Sequence, residues 1–213
     1  MIGFSYLCIL LFIIIFILYL IKKNITKSPK KIKLFVTVSL IPLVLRYLVL
    51  IIGVIVEKHS VIYLLRQLVF LNYFSIPLII LATLFIFLRD EKLKFNFNFI
   101  FLIILLIGYI FMVSYSKIDI SINNTFGFVL SLENYLVPTL IYLIIIASLS
   151  VFNLLYVDKP YSNKLGMKIL LLSLVVCIVE FILFLGGVKV FPYPIIGEVL
   201  ILISLSKGLR TFK

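Results

Sequence analysis

Five charged residues stand inside otherwise apolar stretches of the chain: Arg46, Arg66, Glu133, Glu180 and Glu198. A guanidinium presents several N–H donors in one plane and grips carboxylate or phosphate, while a carboxylate pairs with it or exchanges a proton. The set is therefore suited to holding a charged group or to general acid–base chemistry. Near the centre of a bilayer such a residue costs about 2.5 to 3.5 kcal/mol even on the lenient insertion scale. Five left unpaired would rival the whole stability of a domain, about 5 to 15 kcal/mol, so they must pair, protonate or meet water. Two Arg against three Glu leave a formal surplus of one negative charge, which a proton, a bound cation or a cationic group on a ligand would offset.

Residues three, four and seven apart share a helix face. On that spacing Ser39, Pro42, Arg46, Gly53 and Glu57 form one stripe, and His59, Tyr63, Arg66, Tyr73 and Pro77 a second. Ser173, Cys177, Glu180 and Gly187 form a third. Each stripe is expected to face the bundle interior. At about 1.5 Å per residue, Arg46 lies about 15 Å below the outer end of its span, Arg66 about 8 Å, and the three glutamates about 10 Å. All five are thus expected to converge in the outer half and neutralise one another there, as the candidate ligand-binding residues. No catalytic residue is singled out. His59, the single histidine, reads as a solvated residue of an outer loop and does not build a zinc site of the usual kinds. Cys8 and Cys177 lie far apart within apolar stretches, so neither a disulfide framework nor a metal set is implied, and no cofactor is expected.

The elements that must position these residues are membrane spans. The 213 residues are 64% hydrophobic and 13% charged, with mean hydropathy +1.33, which leaves too little polar surface to cover a soluble core. A hydrocarbon layer of about 30 Å needs roughly 20 apolar residues per helix. Seven stretches qualify, at about residues 2–21, 34–56, 61–88, 99–113, 126–156, 165–185 and 194–205. The expected fold is an all-α polytopic transmembrane helix bundle of seven spans, one integral membrane domain over residues 1–213.

Fifteen of the 20 Lys and Arg fall in the loops after spans one, three and five and in the tail after span seven. Lys22, Lys23, Lys27, Lys30, Lys31 and Lys33 crowd the first of these, Arg89, Lys92 and Lys94 the second. Lys58, Lys117 and Lys189 sit on the other side. The positive-inside rule then puts the N-terminus outside and the C-terminus inside, in the cell (plasma) membrane. Orientation accounts for the net charge of +12, so nucleic acid is not an expected partner. The expected partners are the bilayer, a small polar or charged ligand, and a membrane or cytoplasmic protein.

Pro42, Pro77 and Pro138 fall inside spans two, three and five, where each removes one backbone donor; kinks there would be unremarkable, and bundle shape is the simplest reading of all three. No GxxxG pair occurs, so the helices are expected to pack through large aliphatic side chains rather than by close backbone approach. Residues 117–124 alternate Ile118, Ile120 and Ile122 with polar residues. That pattern suits a short outer strand or an interfacial lid, with a plain exposed loop as the simpler reading. The FPYP run ending at Pro194 reads as the turn that starts span seven, with Tyr193 as an interfacial anchor.

HExxH, GxSxG, Walker A and GxGxxG motifs are all absent. The first functional reading is a receptor-like or transporter-like module that takes a small polar or charged solute from outside. The second is a membrane enzyme acting on a lipid or lipid-linked substrate, with Glu180 or Glu198 as acid or base and an Arg neutralising phosphate. A lateral opening between helices at the level of the glutamates would favour it over the first. The third is a structural subunit of a membrane complex.

Overall fold

The structure, a computed structural model, describes residues 2–56, 59–88 and 95–212. Glu57, Lys58, Arg89, Lys92, Lys94 and Lys213 lie outside the described residues, as does the side chain of His59. Helices α1 (Ile2–Lys27) and α2 (Lys30–Ile55) fold back on each other. Their turn is fixed by Asn24, whose side-chain amide donates to the Lys33 carbonyl at 2.9 Å and to Thr37 Oγ1 at 3.0 Å. The next crossing is broken: α3 (His59–Leu65), a 3₁₀ stretch (Arg66–Phe70), then α4 (Asn72–Leu88). Helix α5 (Phe97–Tyr115) leads into strands β1 (Ile118–Asn123) and β2 (Gly127–Leu132). Helices α6 (Leu136–Tyr156), α7 (Lys164–Leu185) and α8 (Ile196–Leu209) follow.

Among the described residues six stretches are long and apolar enough to cross a membrane: Gly3–Lys27, Lys30–Ile55, Ser60–Leu88, Phe97–Tyr115, Leu136–Tyr156 and Lys164–Leu185. By length and composition this is an integral membrane protein built of helices. The seventh expected crossing corresponds to α8, whose 14 residues form a helix shorter than the other six. At about 1.5 Å per residue it spans about 21 Å against a hydrocarbon layer of about 30 Å.

The centre of the bundle is the third crossing, buried over 83% of its most apolar window, against none for α5. No α5 residue is buried, so that helix stands at the periphery. It is held at one end by Phe99 edge-on to Phe35, and further along by Tyr109, whose hydroxyl donates to the Gln67 carbonyl at 2.7 Å. Three contacts gather the connections after α1, α4 and α6 and the end of α8 at one pole. Lys31 Nζ meets Asn96 Oδ1 at 2.9 Å, the Asn163 amide donates to the Phe87 carbonyl at 2.8 Å, and Lys23 Nζ donates to the Ser206 carbonyl at 2.6 Å. The last contact places a cation against the carbonyl end of α8, where the helix dipole favours it.

At the opposite pole, residues 118–132 form an antiparallel hairpin in register from Ile118 opposite Leu132 to Asn123 opposite Gly127. The simpler expectation of a plain loop is thereby corrected, and the strand reading of the Ile alternation holds. Asn123 Oδ1 accepts the amides of Thr125 at 2.8 Å and Phe126 at 3.3 Å, which closes the turn. Strand β2 turns Phe128, Leu130 and Leu132 into the bundle. The expected fifth span, 126–156, is corrected at its start: the helix begins at Leu136, because residues 127–132 pair with β1 instead. Pro138, expected inside the span, then falls in the first turn of α6, where a missing amide donor costs nothing. Pro42 and Pro77 do lie inside helices.

Packing through large side chains alone is also corrected, because single glycines allow backbones to touch. Gly127 adopts φ 70°, and a Cβ there would stand 2.5 Å from the Gly53 carbonyl oxygen, so the hairpin rests directly on α2. A Cβ at Gly197 would stand 2.5 Å from Cys177 Cα, which brings the start of α8 onto α7.

Candidate functional site

Arg46 and Glu198 form an ion pair, with Nη1 donating to Oε2, at 1% and 0% exposure. Arg46 Nε donates to the Val69 carbonyl at 2.9 Å, and the Tyr47 hydroxyl donates to Glu198 Oε2 at 2.5 Å. Non-helical backbone at membrane depth persists only where its polar groups find partners. The 3₁₀ stretch that carries Val69 is still helical but departs from the α-helical ladder, and Arg46 supplies a donor to its Val69 carbonyl. Glu198 lies in the first turn of α8, where the exposed amide dipoles favour a carboxylate. One guanidinium thus ties α2 to the break in the third crossing and to the start of α8. Glu198 Oε1 has no hydrogen-bond partner among the described residues.

Glu180 is occupied differently. Its Oε1 accepts the amides of Ile195 at 2.8 Å and Ile196 at 2.9 Å, and its Oε2 accepts that of Gly197 at 2.6 Å. The carboxylate caps α8 from the neighbouring helix, satisfying amides that have no partner within α8 itself. It also sets the position of the turn that bears Glu198. Further down, Ser173 Oγ and Ser204 Oγ are 3.2 Å apart and continue the α7–α8 seam.

Arg66 and Glu133 do not join the pair, which corrects the expected convergence of all five charges. The Arg66 guanidinium sits 3.9 Å from the Tyr63 ring centroid, and Tyr63 is 58% exposed. The stripe of His59, Tyr63, Arg66, Tyr73 and Pro77 assumed an unbroken α-helix; the 3₁₀ stretch starting at Arg66 winds more tightly and resets the faces. Glu133 ends the hairpin, with its side chain 53% exposed and 4.0 Å from Lys117. The other two stripes face inward in part: Ser39, Arg46 and Gly53 are buried, as are Ser173 and Cys177, whereas Gly187 lies past the end of α7 and is exposed, and Glu57 is outside the described residues.

Beneath the hairpin lies a cavity of about 280 Å³ with Arg46 in its wall, together with Tyr73, Thr139, Asp119, Glu133 and Lys189. Tyr193 closes one side. Its hydroxyl accepts the Leu130 amide at 2.8 Å and donates to the Leu130 carbonyl at 3.2 Å, tying the connection between α7 and α8 to β2. Burial pushes the Tyr193 phenol up to about 12. The residue expected to be an interfacial anchor is therefore an internal tether, 8% exposed. A second, larger space of about 720 Å³ separates α5 from α6, walled by Ile104, Gly108 and Met112 on one side and Val137, Ile141 and Ile145 on the other. Tyr73 and Glu133 line both spaces. Tyr73 is held there by Thr139, with 3.0 Å between their side-chain oxygens, and by an edge-on contact with Tyr142.

The sequence reading passed over Tyr47, Val69, Asp119, Lys189 and Tyr193 as members of this region. The adjacency of Tyr47 to Arg46 was visible, but a neighbour one residue on belongs to a different face of an ideal helix. A backbone carbonyl such as that of Val69 carries no sequence signal. No protein-family model matches the chain, and no curated protein matches it.

Proposed function

We propose that this protein binds an amphiphilic, lipid-class ligand that reaches it sideways from the bilayer, with the polar head beneath the hairpin and the apolar chain between α5 and α6. The observation that carries the reading is the shared wall of the two spaces: Tyr73 and Glu133 border the polar cavity and the apolar groove alike. An apolar gap between two membrane helices is bathed by lipid, so an acyl chain is its natural occupant. A small water-soluble solute would use the cavity and have no use for the groove. The lateral opening therefore favours the lipid reading over the receptor or carrier of a small polar solute. The site residues in this reading are Arg46 and Glu133 at the head, with Glu198 and Glu180 holding Arg46 and α8 in place. Arg66 has no part in it.

In this proposal α8 completes seven membrane-embedded helices, and the basic pole faces the cytoplasm of a plasma membrane with the hairpin outside. The gathering of Lys22, Lys27, Lys30, Lys159, Lys164 and Lys207 around one pole supports that orientation.

Gly108 gives the test. It lines the groove, and a Cβ added there meets nothing within 4 Å, so a bulky side chain fills space without disturbing packing. Gly108→Trp should fold normally and lose crosslinking of a photoreactive phospholipid to peptides covering residues 104–115 and 137–145. Undiminished crosslinking at those peptides would refute lateral binding.

A further inference from the structure

Building on the lateral-binding reading, we infer that the ligand's head carries a phosphate, received between Arg46 and Lys189. The wall of the cavity holds two cations with donors to spare. Arg46 engages one N–H with the Val69 carbonyl and one with Glu198, and the remaining N–H groups of the guanidinium have no acceptor among the described residues. Lys189 makes no ion pair among the described residues; its ammonium lies 4.6 Å from the Phe184 ring centroid. Of the other polar groups in the wall, Tyr73 is committed to Thr139, Thr139 to the Tyr135 carbonyl at 2.7 Å and Tyr193 to Leu130, while Asn72 adds a buried side-chain amide and Ser131 a hydroxyl. What is left to recognise a ligand is led by two cations and supplemented by neutral donors, and the complement of such a set is an anionic group with several acceptor oxygens.

The anionic group that bilayer amphiphiles carry next to their acyl chains is phosphate. The two carboxylates of the wall, Asp119 and Glu133, stand exposed on the hairpin and at its end, with Glu133 beside Lys117. They leave the inner part of the cavity to the cations. Glu198 competes for the same guanidinium from the protein side. Removing its charge while keeping its shape should therefore strengthen the hold on phosphate, an effect opposite to the one expected if the pair served packing alone.

The test is native mass spectrometry of the full chain in detergent, titrated separately with dioleoyl phosphatidylglycerol, dioleoylglycerol and glycerol phosphate. Phosphatidylglycerol should bind at least about tenfold tighter than either of the others, the scale of one lost charge-assisted hydrogen bond. Lys189→Ala should weaken phosphatidylglycerol about two- to fivefold, as for an exposed charge. Glu198→Gln should tighten it about tenfold. Equal binding of dioleoylglycerol would overturn the phosphate assignment while leaving lateral binding intact, since that reading falls only if Gly108→Trp leaves crosslinking at residues 104–115 and 137–145 undiminished. Equal binding of glycerol phosphate would overturn the membrane lipid as the source of the phosphate. Weaker or unchanged binding in a folded Glu198→Gln variant would overturn the role of Arg46, and Lys189→Ala, at the surface, keeps the question open to refutation if Glu198→Gln does not fold.

Discussion

Glu180 sits on the α7–α8 seam, and truncating it tests whether α8 is held by a carboxylate from outside its own sequence. Of the three amides it accepts, those of Ile195 and Gly197 belong to buried residues, whereas Ile196 is 49% exposed. A buried donor left without an acceptor costs about 1 to 3 kcal/mol, so Glu180→Ala should lose about 2 to 6 kcal/mol, with little added by Ile196. Glu180→Gln keeps one acceptor oxygen and turns a second donor toward the remaining amide, so its loss should be about 1 to 3 kcal/mol. Unfolding in mixed micelles of mild detergent and SDS gives the ranking. Cys177 supplies a local readout, because it is fully buried against Gly197 at the start of α8. In a Cys8→Ser background, which removes the exposed thiol, opening of the α8 start should speed maleimide labelling of Cys177. The lower figure of about 2 kcal/mol corresponds to a labelling rate about 30-fold faster in Glu180→Ala. Labelling and unfolding within error of the wild type, or Glu180→Gln falling below Glu180→Ala, would refute the capping role.

Two further outcomes follow from the tethers around the cavity. Glu198→Leu should cost about 3 to 5 kcal/mol by stranding the Arg46 charge, and Arg46→Met/Glu198→Leu should be more stable than either single variant, while staying below wild type because the Val69 carbonyl loses its donor. Additive losses in that cycle would show that the pair is not coupled. Tyr193→Phe should cost about 1 to 3 kcal/mol and speed hydrogen exchange at the Leu130 amide. Burial holds the Tyr193 phenol up at about 12 against the hydrogen bond with Leu130 and the charge of Arg46, which both lower it. The free side chain titrates near 10, so the stability linked to the buried neutral phenol is complete below about pH 10 and fades as pH rises toward 12. Tyr193→Phe should flatten that alkaline loss, and an unchanged alkaline profile would remove Tyr193 as its source.

Most of the helices were legible because hydropathy acts on length and composition, which neighbouring residues reinforce over a whole crossing. The boundaries that failed did so for local reasons. Residues 126–135 are as apolar as a helix start, yet Gly127 at positive φ and pairing with Ile118 to Asn123 commit them to the hairpin. The buried pair was legible in part: an Arg and a Glu inside apolar stretches must be compensated, and Arg46 and Glu198 compensate each other. Which glutamate would be the partner was not legible, because Glu180 and Glu198 have equal charge and similar expected depth. Their roles separate only through the backbone, since Glu180 faces the unpaired amides of residues 195–197 while Glu198 rides on the turn those amides begin. Arg66 was misplaced for a similar reason, as the 3₁₀ stretch that redirects it leaves no mark in a hydropathy pattern.

The asymmetry of the pair bears on what the cluster is for. An ion pair kept solely to fix helix register gains most when both partners are sealed from anything that could compete for them, because competition weakens the compensation that burial demands. Glu198 meets that condition. Arg46 does not: it is equally buried, but it lines a cavity that shares Tyr73 and Glu133 with the groove between α5 and α6. A cation compensated from behind and open in front is arranged to receive an anion without being stranded when the anion leaves. The hairpin fits the same logic. It is tied down at Gly53 through Gly127 and at Tyr193 through Leu130, so it covers the cavity, and in the proposed reading the bilayer reaches the site from the side of α5, a helix with no buried residue.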